Sequence, residues 1–168
     1  MGDEAPMTLT ASQKDVVENF RGSFEDQLSS DARFSSSKRH DRPDGSTLAT
    51  RWQSSANEHV WFEIAVRPLI PQIRVGILTD DRWKSEDLEE KIEESGDTMR
   101  EFVEMGFEEA GLEWLEPPVE HYREEMKFFY FSTAFELKRL DELDDPALRT
   151  KTRQMFDGYH HAFGPFLE

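Results

Sequence analysis

From Met126 to Lys138 the chain alternates in a way only a β-strand accommodates. Phe129, Phe131, Thr133, Phe135 and Leu137 fall on one face, and Phe128, Tyr130 and Ala134 on the other. Aromatic side chains on both faces require a strand covered on two sides, or one that forms a wall of a ligand groove. Such a segment cannot stand alone, so the rest of the chain must supply strands to pair with it.

Three segments do so. Thr47 to Gln53 alternates with Leu48, Thr50 and Trp52 on one face, and His59 to Arg67 sets Val60, Phe62, Ile64 and Val66 against Trp61, Glu63 and Ala65. Gln72 to Thr79 places Ile73, Val75 and Ile77 together. Pro68 and Pro71 bracket the turn between the last two, which predicts an antiparallel pair. Leu112 to Leu115 reads as a further short strand before Pro117 and Pro118.

Helical spacing accounts for most of the remainder. Val16, Val17, Phe20, Phe24 and Leu28 make an apolar stripe over Ala11 to Leu28, preceded by a capping box at Thr10 and Gln13. A second stripe runs through Leu88, Ile92, Met99, Phe102, Val103, Gly106 and Ala110, with Ser85 as its expected N-cap and Gly96 as a point of division. Asp145 and Pro146 start a closing helix along Leu148, Thr152, Met155, Phe156, Tyr159, Ala162 and Phe163. Ser29 to Gly45 is polar and reads as a loop ending in the turn formers Asp41, Pro43, Asp44 and Gly45. The order is α-β-β-β-α-(β)-β-α: a flexible stretch over residues 1–10, then one α+β domain over 11–168 with a mostly antiparallel sheet.

Charge narrows the partners. The chain holds 36 acidic residues against 20 basic ones, a formal charge of -16, and half of the acids lie between Asp80 and Glu125. This field disfavours nucleic acid and anionic membrane, and it favours a basic protein partner or simple solvation. The same bias is found in proteins of halophilic hosts. With no cysteine, thiol chemistry and thiolate zinc sites are excluded. Met1 to Thr10 lacks the basic cluster and apolar run of a signal peptide, and no apolar stretch approaches the roughly 20 residues of a membrane helix, so a cytoplasmic protein is expected.

Candidate chemistry is sparse. One helical turn would join His121 to Glu125, but no further ligand at metal-binding spacing accompanies them, and the expectation is a surface histidine. His160 and His161 are adjacent and would flank the closing helix stripe. No phosphate loop, dinucleotide fingerprint or nucleophile elbow occurs, so no cofactor, metal or catalytic residue is assigned. Glu63 is the carboxylate of interest. It sits among apolar neighbours on a strand, where burial calls for a partner such as Arg74; it is either a structural cross-strand pair or a functional acid. The cluster Lys38-Arg39-His40-Asp41-Arg42 is an anchor for phosphate or an acidic partner, or a charge partner for the protein's own acidic helix.

The element order, size and acidity resemble the type III secretion chaperone fold shared by YbjN-like proteins, a resemblance of topology across most of the chain. It implies a small acidic dimer that binds extended segments of client proteins. Trp52, Arg74-Val75-Gly76-Ile77, Ile92-Glu93, Gly111-Leu112-Glu113-Trp114 and the ending Phe156 to Leu167 also resemble uncharacterised domains appended to restriction-type nucleases. That nuclease core has the α-β-β-β-α-β order, but Gln72-Ile73-Arg74 lacks its second acid and lysine, and Glu136-Leu137-Lys138 falls after the long helix. The expected function is therefore a non-enzymatic protein-binding module, with Trp52, Trp61, Phe128 and Tyr130 as contacts and a homodimer as its assembly. A degenerate or active nuclease-like domain and an acidic DNA mimic are the alternatives.

Overall fold

Thr10 and Gln13 form the capping box expected of them, each side chain accepting from the other's backbone amide, and so fix the start of helix α1 (Ala11–Gln27). A computed structural model describes residues 9–168; residues 1–8, most of the stretch expected to be flexible, lie outside the described residues. Strands β1 (Phe34–Arg39), β2 (Leu48–Ser54), β3 (Val60–Arg67) and β4 (Gln72–Thr79) follow as an antiparallel meander. Helices α2 (Arg82–Ser95) and α3 (Met99–Glu109) come next, then β5 (Glu120–Glu124), β6 (Phe128–Glu136) and helix α4 (Pro146–Phe163). The sheet order is β1-β2-β3-β4-β6-β5, antiparallel throughout, so β6 is an interior strand between β4 and β5.

The fold is α+β, and it differs from the sequence reading in three places. The polar segment after α1 contains β1, in which Phe34 alone is buried; an edge strand with one face in water has no apolar alternation to reveal it. The acidic helix divides at Gly96 as expected, the glycine taking a left-handed φ of 82°, and Thr98 caps α3 afresh with Glu101. Asp81, not Ser85, caps α2: its side chain accepts from the Trp83 amide at 3.0 Å, while Ser85 is buried inside the helix. Finally, Leu112 and Trp114 pack as irregular chain against the core, and the extra strand forms beyond the prolines instead. There Glu125 and Met126, both at φ 55°, make the tight turn that folds β5 onto β6.

Period-two alternation divides the sheet into two unlike faces. Trp52, Phe62, Ile64, Val75, Ile77 and Phe131 face the four α-helices and join their stripes in one core. The helix side is tied to the sheet by ion pairs as well. Buried Arg21 of α1 donates to Asp41 and to the Ala49 carbonyl, and Arg39 of β1 grips Glu18 and Glu25. Helices α3 and α4 approach so closely that a Cβ on Gly106 would strike the Gly158 carbonyl, and one on Gly158 would strike the Phe107 ring.

The close crossing predicts the effect of the smallest substitution. Gly158→Ala is expected to destabilise the fold by about 1–3 kcal/mol through overpacking, despite its better helix propensity. Urea denaturation checks this; an unchanged or higher midpoint would contradict it.

Candidate functional site

The other face of the sheet carries side chains whose polarity makes their burial costly. Glu63 of β3, Arg51 of β2 and Arg74 of β4 point to this face, as does Tyr130 of β6. All four are buried, Glu63 to 2% exposure. Arg51 Nε donates to Glu63 Oε2 at 2.9 Å and its Nη2 donates to the Tyr130 hydroxyl at 2.7 Å. That hydroxyl in turn donates to the same carboxylate oxygen at 2.9 Å, closing a three-membered ring of charge-assisted bonds. Arg74 lies 3.8 Å from the second Glu63 oxygen and donates to Glu124 at 3.3 Å.

Aromatic rings insulate this network. Tyr122 and Tyr130, opposite each other on β5 and β6, stack at 5.0 Å with planes 4° apart, and the Arg74 guanidinium lies against both. Arg51 lies over Phe128 at 4.5 Å, and Trp61 meets Phe128 edge-to-face. Burial holds both tyrosines in the neutral form: Tyr122 is pushed up to about 12 despite the attraction of Arg74, and Tyr130 is raised further, with Glu63 adding to the effect of burial.

Curvature of the sheet supplies the cover that helices do not. With strands about 4.8 Å apart, edge strands β1 and β5 of a flat six-stranded sheet would be roughly 24 Å apart. Yet His40, just past β1, reaches Glu125, just past β5, at 3.0 Å, and Arg42 lies 3.5 Å from Glu124. The sheet therefore curls toward its helix-free face until its two edges clasp over the Glu63 network. Beside the clasp the face stays open as a depression of about 270 Å³ lined by Lys38, His40, Arg51, Trp61, Lys127 and Phe128, with Asp80 as its one acid.

The predicted contact residues separate accordingly. Trp61 and Phe128 line the depression, and Tyr130 lies beneath them inside the ion network. Trp52 is a correction: alternation turns it to the opposite face, where it is 2% exposed and packs edge-to-face on Phe156. Glu63 takes Arg51 as its nearer partner and Arg74 as its farther one, so the cross-strand pairing expected with Arg74 is shared. His121 is also corrected. It lies on a strand, stacks on Phe131 at 4.0 Å and contacts the Tyr130 carbonyl and Glu89. Arg51, Lys38 and Lys127 escaped the sequence reading as one group: Lys38 and Arg51 are cross-strand partners on β1 and β2, a pairing hidden while β1 read as loop, and Lys127 joins them from the β5–β6 turn. No family model, curated protein or solved structure matches the chain. The chaperone-like resemblance thus rests on element order, size and acidity alone, and the nuclease-associated one on the residues quoted for it.

Two outcomes follow from this chemistry. Glu63→Ala leaves Arg51 buried without its counter-charge and is expected to cost about 3–5 kcal/mol, whereas Arg51→Met combined with Glu63→Leu costs less than the single change. Chemical denaturation of both variants checks the order. The chain's three tyrosines, Tyr122, Tyr130 and Tyr159, are all held above their ordinary value by burial. An unfolded tyrosine ionises near pH 10, so above that pH the unfolded chain has lost protons that the folded chain keeps. Stability falls as pH rises from about 10, and tyrosinate absorbance appears only with unfolding. Tyrosinate signal near pH 10 from a still-folded protein would contradict this.

Proposed function

We propose that this chain is a non-enzymatic protein-binding module whose helix-free sheet face receives an extended segment of a partner. The observation that carries the reading is half-buried Trp61, seated edge-to-face on Phe128 at the mouth of the open depression. A ring held rigidly by one neighbour and facing open space gives contact area at little entropic cost, the property that concentrates binding energy in aromatic anchors. The groups beneath are spent on each other. Glu63, Arg51 and Tyr130 satisfy one another at 2.7–2.9 Å, which leaves this carboxylate neither free to take a proton from a substrate nor reachable by one.

The competing readings meet the same side chains less well. A nuclease-like centre built on Glu63 would place a divalent cation beside Arg51 and Arg74, where two guanidinium charges repel it. A DNA mimic calls for an ordered row of carboxylates, and the acidic segment is instead split into α2 and α3 at Gly96.

The binding reading is tested by paired affinity capture from the native host. Wild-type and Trp61→Ala baits are compared over a series of salt washes. Trp61 belongs to a small satellite cluster outside the main core, so the variant is expected to keep its fold, verified by its melting curve. A partner retained by the wild type and lost by Trp61→Ala is expected. Capture that is equal on both baits, or absent at every salt, would overturn the assignment of this face.

A further inference from the structure

Lysines and arginines in a chain this acidic are expected to find carboxylates, and most of this protein's arginines do. Arg21, Arg33, Arg39, Arg42, Arg51 and Arg74 all form ion pairs. Lys38 and Lys127 are the exceptions that share a location. Both are exposed, neither forms an ion pair among the described residues, and both line the Trp61–Phe128 depression. Lys127 lies over the Phe128 ring at 5.2 Å. Arg51 contributes from the wall: its Nε and Nη2 are committed to Glu63 and Tyr130, leaving Nη1 without a hydrogen-bond partner among the described residues. The one acid lining this space, Asp80, has His59 as its sole side-chain partner among the described residues, its carboxylate oxygen lying 3.0 Å from the ring Nδ1.

Asp80 and Lys127 also line a second hollow of about 490 Å³, walled by Met126 and Phe129 with Arg82 and Arg123. Arg123 lies over Phe129, donates to the Met126 carbonyl and forms no ion pair among the described residues. The two hollows meet at Asp80 and Lys127 but open on opposite faces of the sheet, because Phe128 and Phe129 are neighbours on β6, and Arg82 in the second is paired with Glu86 at 3.3 Å. The helix-free hollow is a trench in which rings and cations interleave, Lys38 and Lys127 unpaired and Arg51 held by Glu63, with Asp80 as its one lining acid. The rest of the molecule has the opposite balance, 36 acids to 20 bases over the whole chain.

We infer that the trench binds an acidic peptide segment in which Asp or Glu alternates with apolar side chains. An extended strand points successive side chains to opposite sides, so such a segment can lay apolar groups on Trp61 and Phe128 while its carboxylates reach Lys38 and Lys127. Charge complementarity selects the class of occupant. A basic segment would meet the two unpaired lysines as like charges, and a neutral one would leave them unanswered. A single-stranded nucleic acid matches the ring-and-cation pattern locally, but its charge continues past the trench into a surface that carries the protein's acidic excess. This assignment rests on the helix-free face being the binding face, and it reverses the basic partner that net charge alone suggests.

The test uses the full chain and four probes measured by titration calorimetry: a short peptide alternating Glu and Phe, its Gln–Phe and Lys–Phe counterparts, and a single-stranded oligonucleotide of similar length. Wild-type protein is expected to bind the Glu–Phe peptide at least about tenfold more tightly than any other probe, with affinity falling as salt rises. The Lys38→Glu/Lys127→Glu variant, which alters only exposed side chains and keeps the wild-type melting temperature, is expected to lose that preference and gain one for the Lys–Phe peptide. Equal affinity for the Glu–Phe and Gln–Phe peptides, tighter binding of the oligonucleotide, or no binding of any probe overturns the inference. Trp61-dependent capture of a host partner would survive each of those results, so failure of the acidic-segment assignment is distinct from failure of the binding reading.

Discussion

The ring of bonds among Arg51, Glu63 and Tyr130 is the constraint on which the open face of this sheet depends. A sheet with helices on one side normally leaves its other side wet, with polar residues that need no partners. Here that side carries charges withdrawn from water, and each such charge would cost several kcal/mol if left alone. The cost is offset only when three strands, β2, β3 and β6, hold their side chains at one register. A slip of one residue in any of them would turn Arg51, Glu63 or Tyr130 to the helix side, into a core that has no partner for it. The network therefore specifies the alignment of the sheet more than it stabilises it.

Curvature follows from the same residues. Bringing Arg74 between Glu63 and Glu124 while stacking it on Tyr122 and Tyr130 draws β5 toward β3, and the clasp of His40 with Glu125 completes the closure at the far edge. The hairpin that makes this possible is strained. Glu125 and Met126 both adopt left-handed φ values, where glycine or asparagine would cost less. Strain persists only where surrounding contacts over-determine it, and here those contacts are the clasp on one side and the trench on the other. The turn thus has one task in two directions: it closes the polar network and sets Lys127 and Phe128 beside Trp61.

How much of this was legible depended on whether a side chain's role was written in its own neighbourhood. Alternation in β3, β4 and β6 is local, and it correctly assigned Phe62, Ile77 and Phe131 to one face and Glu63 and Tyr130 to the other. Capping at Thr10 and Asp145 is equally local, since it needs only residues a turn apart. Strand β1 was hidden because Ser35, Ser36 and Ser37 owe their conformation to β2 alone. Trp52 was placed on the correct side of its strand, with Leu48 and Thr50, but which side the helices would cover is a tertiary fact. Glu63 was identified from its apolar neighbours, whereas Arg51 was not, because nothing within β2 marks an arginine as buried until Glu63 stands opposite it.

Net charge and local charge give opposite answers about what this protein can bind, and distance decides between them. At physiological ionic strength the screening length is about 8 Å, so a ligand within the trench responds to Lys38 and Lys127 more than to carboxylates on α2 and α3. The acidic excess acts on what extends beyond the trench, and on what approaches from afar at low salt. A long polyanion is therefore penalised along most of its length while a short acidic segment is not. On the acidic-segment proposal, the formal charge of -16 serves selectivity: it disfavours nucleic acid at a site whose cations and rings would otherwise suit it. In a neutral protein the same trench would be indiscriminate among anions. Set in an acidic one, it discriminates by the length of what it is offered.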